Sequence, residues 1–171
     1  MQITIIGTGY VGLVTGTCLA DFGLEVTCVD QDEAKISLLN SRGVPIYEPN
    51  LEDLITKNVT AGRLSFTTDI EKGIKESKAI FIAVGTPPNQ DGSANLKQIE
   101  EVAQQIAHYL NDYKVIVNKS TAPVGTAAKI RGIIEDYQNK IDPNTSASVI
   151  ARSKATKQSH PSSVIPAKAG I

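Results

Sequence analysis

Apolar residues along this chain follow two alternating rhythms, which predict strands and helices in turn. Ile3-Thr4-Ile5-Ile6 is a short, largely β-branched run closed by Gly7 and predicts a strand. Residues 10–22 predict a helix with Val11, Val14, Cys18 and Leu19 spaced for its inward face and Gly23 as its stop. Glu25-Val26-Thr27-Cys28-Val29 predicts the second strand. Residues 32–41 predict a helix with Ile36, Leu38 and Leu39 inward and Gly43 beyond its end. After a loop over 45–49, a short helix is expected over 51–57, a strand over 64–67 and another short helix over 70–77.

Ala79-Ile80-Phe81-Ile82-Ala83-Val84 is apolar throughout, as a central parallel strand with helices on both faces requires. A Pro, Asn and Gly loop over 86–93 follows. Asn95 then reads as the N-cap of a helix to about Asn111, with Gln98 as its capping-box partner. Val115-Ile116-Val117 predicts the next buried strand, Pro123 opens a helix to about Lys140, and residues 145–151 predict one last strand. Strands separated by helices point to an α/β fold: a Rossmann-like, doubly wound parallel sheet with helices on both faces.

Composition narrows the function classes. The 171 residues suit one domain, or one with an appendage, and 41% hydrophobic content supports a core. A net charge of −1 and a pI near 6.1 give no basic field, so neither nucleic acid nor a membrane surface is expected as partner. No apolar run approaches the ~20 residues of a membrane span, and the N-terminus lacks signal-peptide character, so a cytoplasmic location is expected. Cys18 and Cys28 stand apart from any cluster of His or Cys. They are read as two buried small hydrophobes, with no metal site. The chain changes character near Asp142: residues 143–171 contain no acidic residue, while Arg152, Lys154, Lys157 and Lys168 are basic and Pro161 and Pro166 interrupt any regular element. The expected division is a domain over 1–142 and an irregular, flexible tail over 143–171.

Gly7-Thr8-Gly9-Tyr10-Val11-Gly12 is G-x-G-x-x-G between a predicted strand and a predicted helix, the context in which this pattern binds a dinucleotide. Gly7 permits the tight turn, Gly9 lets the backbone approach a pyrophosphate, and Gly12 lets the helix pack closely. The N–H groups at the helix start hold the phosphates. Asp30 ends the second strand, eighteen residues after Gly12, where a carboxylate accepts hydrogen bonds from the adenine ribose and repels the 2′-phosphate of NADP. The cofactor is therefore read as NAD. Lys35 lies one helical turn further and reads equally as a ribose neighbour or a solvated helix lysine.

Residues 1–30, Pro45-Ile46-Tyr47-Glu48-Pro49, Gly62-Arg63-Leu64 with Phe66-Thr67-Thr68-Asp69, and Ile82-Ala83-Val84-Gly85-Thr86-Pro87 together resemble the UDP-glucose 6-dehydrogenase family. Asp91-Gly92-Ser93-Ala94, Asn118-Lys119-Ser120-Thr121 and Pro123-Val124-Gly125-Thr126 continue the match, so that it covers roughly residues 1–130 in the family's order. The resemblance implies that Gly7, Gly9, Tyr10, Val11 and Gly12, with Val11 singled out, carry the pyrophosphate. It implies that Asp30 and Lys35 hold the ribose and that Thr86 and Thr121 contact the cofactor. Thr121 would also position a catalytic water. Without the resemblance, Thr86 and Thr121 are ordinary turn and cap residues. Members oxidise the C6 alcohol of UDP-glucose to a carboxylate with two NAD, through a cysteine-bound intermediate, and assemble as homodimers.

Two departures are mild. Asn50 stands where the family usually has Gly and tolerates a left-handed backbone. Ala122 replaces a larger apolar residue, a change of packing. The large departure is that the family's Asn-Pro-Glu-Phe segment, its catalytic lysine and asparagine, and its cysteine in a Cys-x-Pro-Lys-Asp stretch have no counterpart among these residues. Residues 148–171 resemble a translated bacterial repetitive element, which points to an interrupted reading frame. Three readings follow: the cofactor half of a UDP-glucose dehydrogenase, a non-catalytic remnant that binds NAD, or part of a dehydrogenase for GDP-mannose or UDP-N-acetylmannosamine. The Tyr47-Glu48-Pro49 loop leans toward UDP-glucose.

Overall fold

A computed structural model describes residues 1–141. The expected strand over 145–151 and the expected tail over 143–171 lie outside the described residues. Strand β1 (Gln2–Ile6) forms the centre of a five-stranded parallel sheet. Its side chains alternate across the sheet as a strand's must. Ile3 and Ile5 enter one core cluster, Ile6 enters the other, and the Thr4 hydroxyl donates to the Gly73 carbonyl at 2.7 Å. The sheet order is β3 (Leu64–Thr67), β2 (Glu25–Val29), β1, β4 (Ala79–Ile82), β5 (Val115–Asn118).

Two layers of helix cover the sheet. On one face, α1 (Tyr10–Asp21), α2 (Glu33–Asn40) and α3 (Leu51–Thr60) place Leu13, Ala20, Ile36, Leu39, Leu51 and Ile55 over the β1–β3 side. On the other, α4 (Ile70–Glu76), α5 (Lys97–Tyr109) and α6 (Thr126–Ile141) bury Ile74, Ile99, Ile106, Ile130 and Ile134 against Ile80 and Ile82. Each fully buried aliphatic side chain stabilises the fold by about 1.5–3 kcal/mol. The chain runs outward from β1 to β2 and β3, then returns to lay β4 on the other side of β1. That reversal opens a crevice at the carboxyl ends of β1 and β4, where open α/β sheets bind ligands. Ile6 is level with Val29 and Ile82, and Ile82 with Asn118, so these strand ends finish together.

Several expectations need correction. Of the four α1 residues expected inward, Val14 and Leu19 are half-buried against the core, but Val11 and Cys18 are exposed; the helix fully buries Gly12, Leu13, Gly16, Thr17 and Ala20. The physical reason is close approach: a Cβ on Gly16 would lie 2.6 Å from Cys28 Sγ, so small residues beside Leu13 bring the helix down onto the sheet. Cys28 is buried as expected; Cys18 is not. Leu38 is also exposed, its side chain lying over Gly43 rather than in the core. Strand β4 buries Ile80 and Ile82 completely but Ala79 and Phe81 only in part, because α1–α3 cover the opposite half of the sheet. Strand β5 is not fully buried; it is an edge strand among the described residues, as β3 is on the other side, and Val115 is exposed.

Two helix starts also shift. Asn95 Oδ1 accepts from the Lys97 N–H, but the N-cap position is Leu96, so Asn95 closes a turn just before the helix. Helix α6 begins at Thr126 rather than Pro123, because Gly125 adopts a left-handed φ of 97° and makes residues 123–126 a turn. Asn50 has a left-handed φ of 65° at the N-cap of α3, the conformation expected of it.

Candidate functional site

The glycine loop follows β1 directly. Gly7 has φ of 103°, and a Cβ there would meet the Ala83 carbonyl oxygen at 2.6 Å, so only glycine makes this turn. Gly12 lies against the loop itself: its Cβ would fall 1.9 Å from the Gly7 carbonyl oxygen. At Gly9 the position of a Cβ has open space around it. The first backbone bond of α1 runs from Leu13 N–H to the Gly9 carbonyl, so the N–H groups of Tyr10, Val11 and Gly12 have no acceptor within the helix. This N-terminus concentrates donors and positive dipole beside the crevice.

Asp30 immediately follows β2, and its side chain is only 11% exposed. Oδ2 accepts from both the N–H and the hydroxyl of Thr8, each at 2.8 Å. Oδ1 accepts from the Asp32 N–H at 3.1 Å, and Lys35 Nζ stands 3.4 Å from Oδ2. Burial works to raise the Asp30 pKa, but the two Thr8 bonds, the Asp32 N–H and the Lys35 charge outweigh it. The carboxylate is held below its ordinary range. Thr8 itself is fully buried.

A cleft of about 880 Å³ joins these groups; Gly7, Gly9, Asp30 and Lys35 line it, with Val29, Ile70, Val84 and Val102 as apolar wall. Thr86 and Thr121 are not among its lining residues but are brought to each other at the adjacent strand ends. The Thr86 hydroxyl donates to the Thr121 carbonyl at 2.5 Å, and the two hydroxyl oxygens are 3.1 Å apart. The Ser120 hydroxyl donates to the Val84 carbonyl at 2.8 Å and fastens the same two loops. Tyr10 and Val11 are exposed at the start of α1, and the Tyr10 hydroxyl donates to the Glu48 carboxylate. That bond raises the Tyr10 pKa, with burial and the Glu48 charge adding to it.

The sequence points to Gly7, Gly9, Tyr10, Val11, Gly12, Asp30, Lys35, Thr86 and Thr121 and, through its loop, to Glu48, but gives no role to Thr8 or Ser120 and no pairing of Tyr10 with Glu48. The Thr8–Asp30 contact joins positions 22 apart through the β1–β2 register, which no local pattern carries. Cys28 sits inside the sheet, and burial pushes its thiol up to about 12. Neither Cys18 nor Cys28 lines the cleft. Among the described residues no group of His, Cys, Asp or Glu could hold a metal ion, and no helix is long and apolar enough to cross a membrane.

Residues 1–153 match the NAD-binding domain of the UDP-glucose/GDP-mannose dehydrogenase family. The UDP-glucose 6-dehydrogenase TuaD of Bacillus subtilis is 52% identical over 134 residues, which is 78% of this chain and 29% of that protein. The UDP-glucose 6-dehydrogenase of Rhizobium meliloti is 50% identical over 143 residues, 83% of this chain and 33% of its own length. The fold superposes on a crystal structure of a GDP-mannose dehydrogenase ternary complex from Pseudomonas aeruginosa with TM-score 0.77 and 40% identity, over 80% of this chain and 32% of that one. This chain therefore spans about a third of the length of the relatives it matches.

Proposed function

Because the chain belongs to the UDP-glucose/GDP-mannose dehydrogenase family and carries its NAD-binding domain, we propose that it is the cofactor half of a UDP-glucose 6-dehydrogenase and that residues 1–142 bind NAD without completing the reaction. The observation that carries the reading is the buried, ionised Asp30 at the end of β2, level with a glycine loop whose helix start offers free N–H groups. In this reading Gly7, Gly9, Tyr10, Val11 and Gly12 surround the pyrophosphate. Asp30 and Lys35 take the adenine ribose, and Val29, Ile70, Val84 and Val102 flank the adenine ring. The Thr86–Thr121 pair meets the nicotinamide end, where Thr121 orders a water. NAD supplies the hydride acceptor when bound; this chain's residues bind it, orient it and keep its ribose edge dry.

The substrate reading rests on the identity of about half with curated UDP-glucose enzymes. Oxidation of the sugar alcohol through a covalent intermediate needs a thiolate at the reacting carbon. Cys18 stands on the outer surface of α1 and Cys28 is sealed in the sheet, so neither supplies one. A nucleotide sugar, a homodimer partner and a cytoplasmic location belong to the same reading. The test is to mix purified chain with NAD and UDP-glucose and follow both binding heat and NADH absorbance. NAD should bind while no steady NADH appears. Steady production of NADH that either Cys18→Ser or Cys28→Ser abolishes would overturn the non-catalytic part, and absence of NAD binding would overturn the whole.

A further inference from the structure

An ionised carboxylate offers about four acceptor positions, two on each oxygen. At Asp30, three are filled by short bonds from within the protein, and Lys35 Nζ adds a longer one of 3.4 Å to Oδ2, the oxygen that Thr8 already holds. Thr8 N–H and Thr8 hydroxyl occupy both positions of Oδ2 at 2.8 Å each, and the Asp32 N–H occupies one on Oδ1 at 3.1 Å. The position left open is on Oδ1. Thr8 can do this because it is fully buried beneath the glycine loop, where its hydroxyl has Asp30 as acceptor. We infer that Thr8 is the positioning residue for cofactor selection: its hydroxyl fixes the rotation of the Asp30 carboxylate, so that a single free acceptor edge meets the ribose and its negative charge stays where a 2′-phosphate would lie. This rests on the dinucleotide reading above and assigns a role to a residue that the glycine pattern leaves unspecified.

The charged groups around Asp30 are Lys35 and Asp32 on the α2 side and Glu101 on α5 in the opposite wall of the same cleft, with His108 further along it beside Tyr137. Lys35, at 3.4 Å and partly exposed, attracts the carboxylate but does not set its rotation, since its contact is longer than either Thr8 bond. Removing only the Thr8 hydroxyl leaves Lys35, Asp32 and Glu101 in place. The difference between Thr and Val at position 8 therefore isolates one hydrogen bond.

The test uses the whole chain, with Thr8→Val as a near-isosteric variant and Thr8→Ser as the conservative one. NMR titration of the Asp30 carboxyl carbon without cofactor should show its midpoint higher in Thr8→Val and restored in Thr8→Ser. At neutral pH, Thr8→Val should bind NADH about tenfold more weakly, the loss of one hydrogen bond to a charged group. NADPH affinity should change less than about twofold, so that discrimination shrinks, and Thr8→Ser should recover it. Should Thr8→Val fail to fold, Thr8→Ala makes the same comparison with space to spare. An Asp30 midpoint and an NADH/NADPH ratio unmoved by loss of the hydroxyl would overturn the role of Thr8 alone. Failure of the wild-type chain to bind NADH would overturn the dinucleotide reading and this inference with it.

Discussion

Gly9 and Gly12 look alike in the sequence and differ in what surrounds them. A Cβ at Gly12 would fall 1.9 Å from the Gly7 carbonyl oxygen, whereas at Gly9 it would meet nothing within 4 Å. Gly12→Ala should therefore destabilise the fold by about 1–3 kcal/mol in urea unfolding, the usual cost of forcing an extra carbon into a packed site. Gly9→Ala should cost less than about 1 kcal/mol, since alanine is only a poor N-cap there, yet it should weaken NADH binding by crowding the phosphates. Equal destabilisation by the two would contradict this division of labour. The two cysteines make a second contrast. Cys18 is exposed and Cys28 is buried with its thiol pushed up to about 12. A thiol reagent should modify one cysteine in the native chain and both after denaturation. Asp30 gives a pH signature. Its folded pKa is depressed, so its contribution to stability is present above the unfolded value of about 3.9 and is lost as pH falls through the folded one. The stability gap between wild type and Asp30→Asn should be flat near neutrality and close only in acid; a gap that opens as pH falls would contradict the assignment.

At the scale of elements, the strands were legible because a parallel sheet's interior strands are written as β-branched runs, and Ile3 to Ile6 or Ala79 to Ile82 could be little else. Helix faces were less legible where the interface is made by absence of side chain. In α1 four of the five buried residues, Gly12, Gly16, Thr17 and Ala20, are small, with Leu13 beside them, so the spacing of Val11, Val14, Cys18 and Leu19 points partly outward, to the exposed Val11 and Cys18. The start of α6 misled for a related reason: Pro123 fits a first helical position, but the left-handed Gly125 two residues on makes a turn there instead. The loop before α3 is legible in the sequence, because a residue with φ of 65° is one that tolerates that region, and Asn50 is such a residue. Asn50→Ala should destabilise the chain by about 1–2 kcal/mol, and Asn50→Gly should be close to neutral, as measured by thermal unfolding. Equal stability of the alanine and glycine variants would show that this backbone relaxes.

For the molecule as a whole, the parallel sheet with helices on both faces is legible in the βα alternation, whereas the strand order and its reversal between β1 and β4, which opens the crevice, are seen only in the structure. What no local pattern carried was the pairing of distant groups at that crevice: Thr8 with Asp30, Thr86 with Thr121, and Tyr10 with Glu48. Each depends on strand register or loop placement across 22 or more positions. The family match shows an NAD-binding domain, and the central proposal is that Asp30 makes it prefer NAD to NADP. Its most direct test is a fluorescence titration of the purified chain with NADH and, separately, NADPH at neutral pH. The account predicts saturable NADH binding at least about tenfold tighter than NADPH, a difference of about 1.4 kcal/mol. Equal or tighter binding of NADPH would contradict it.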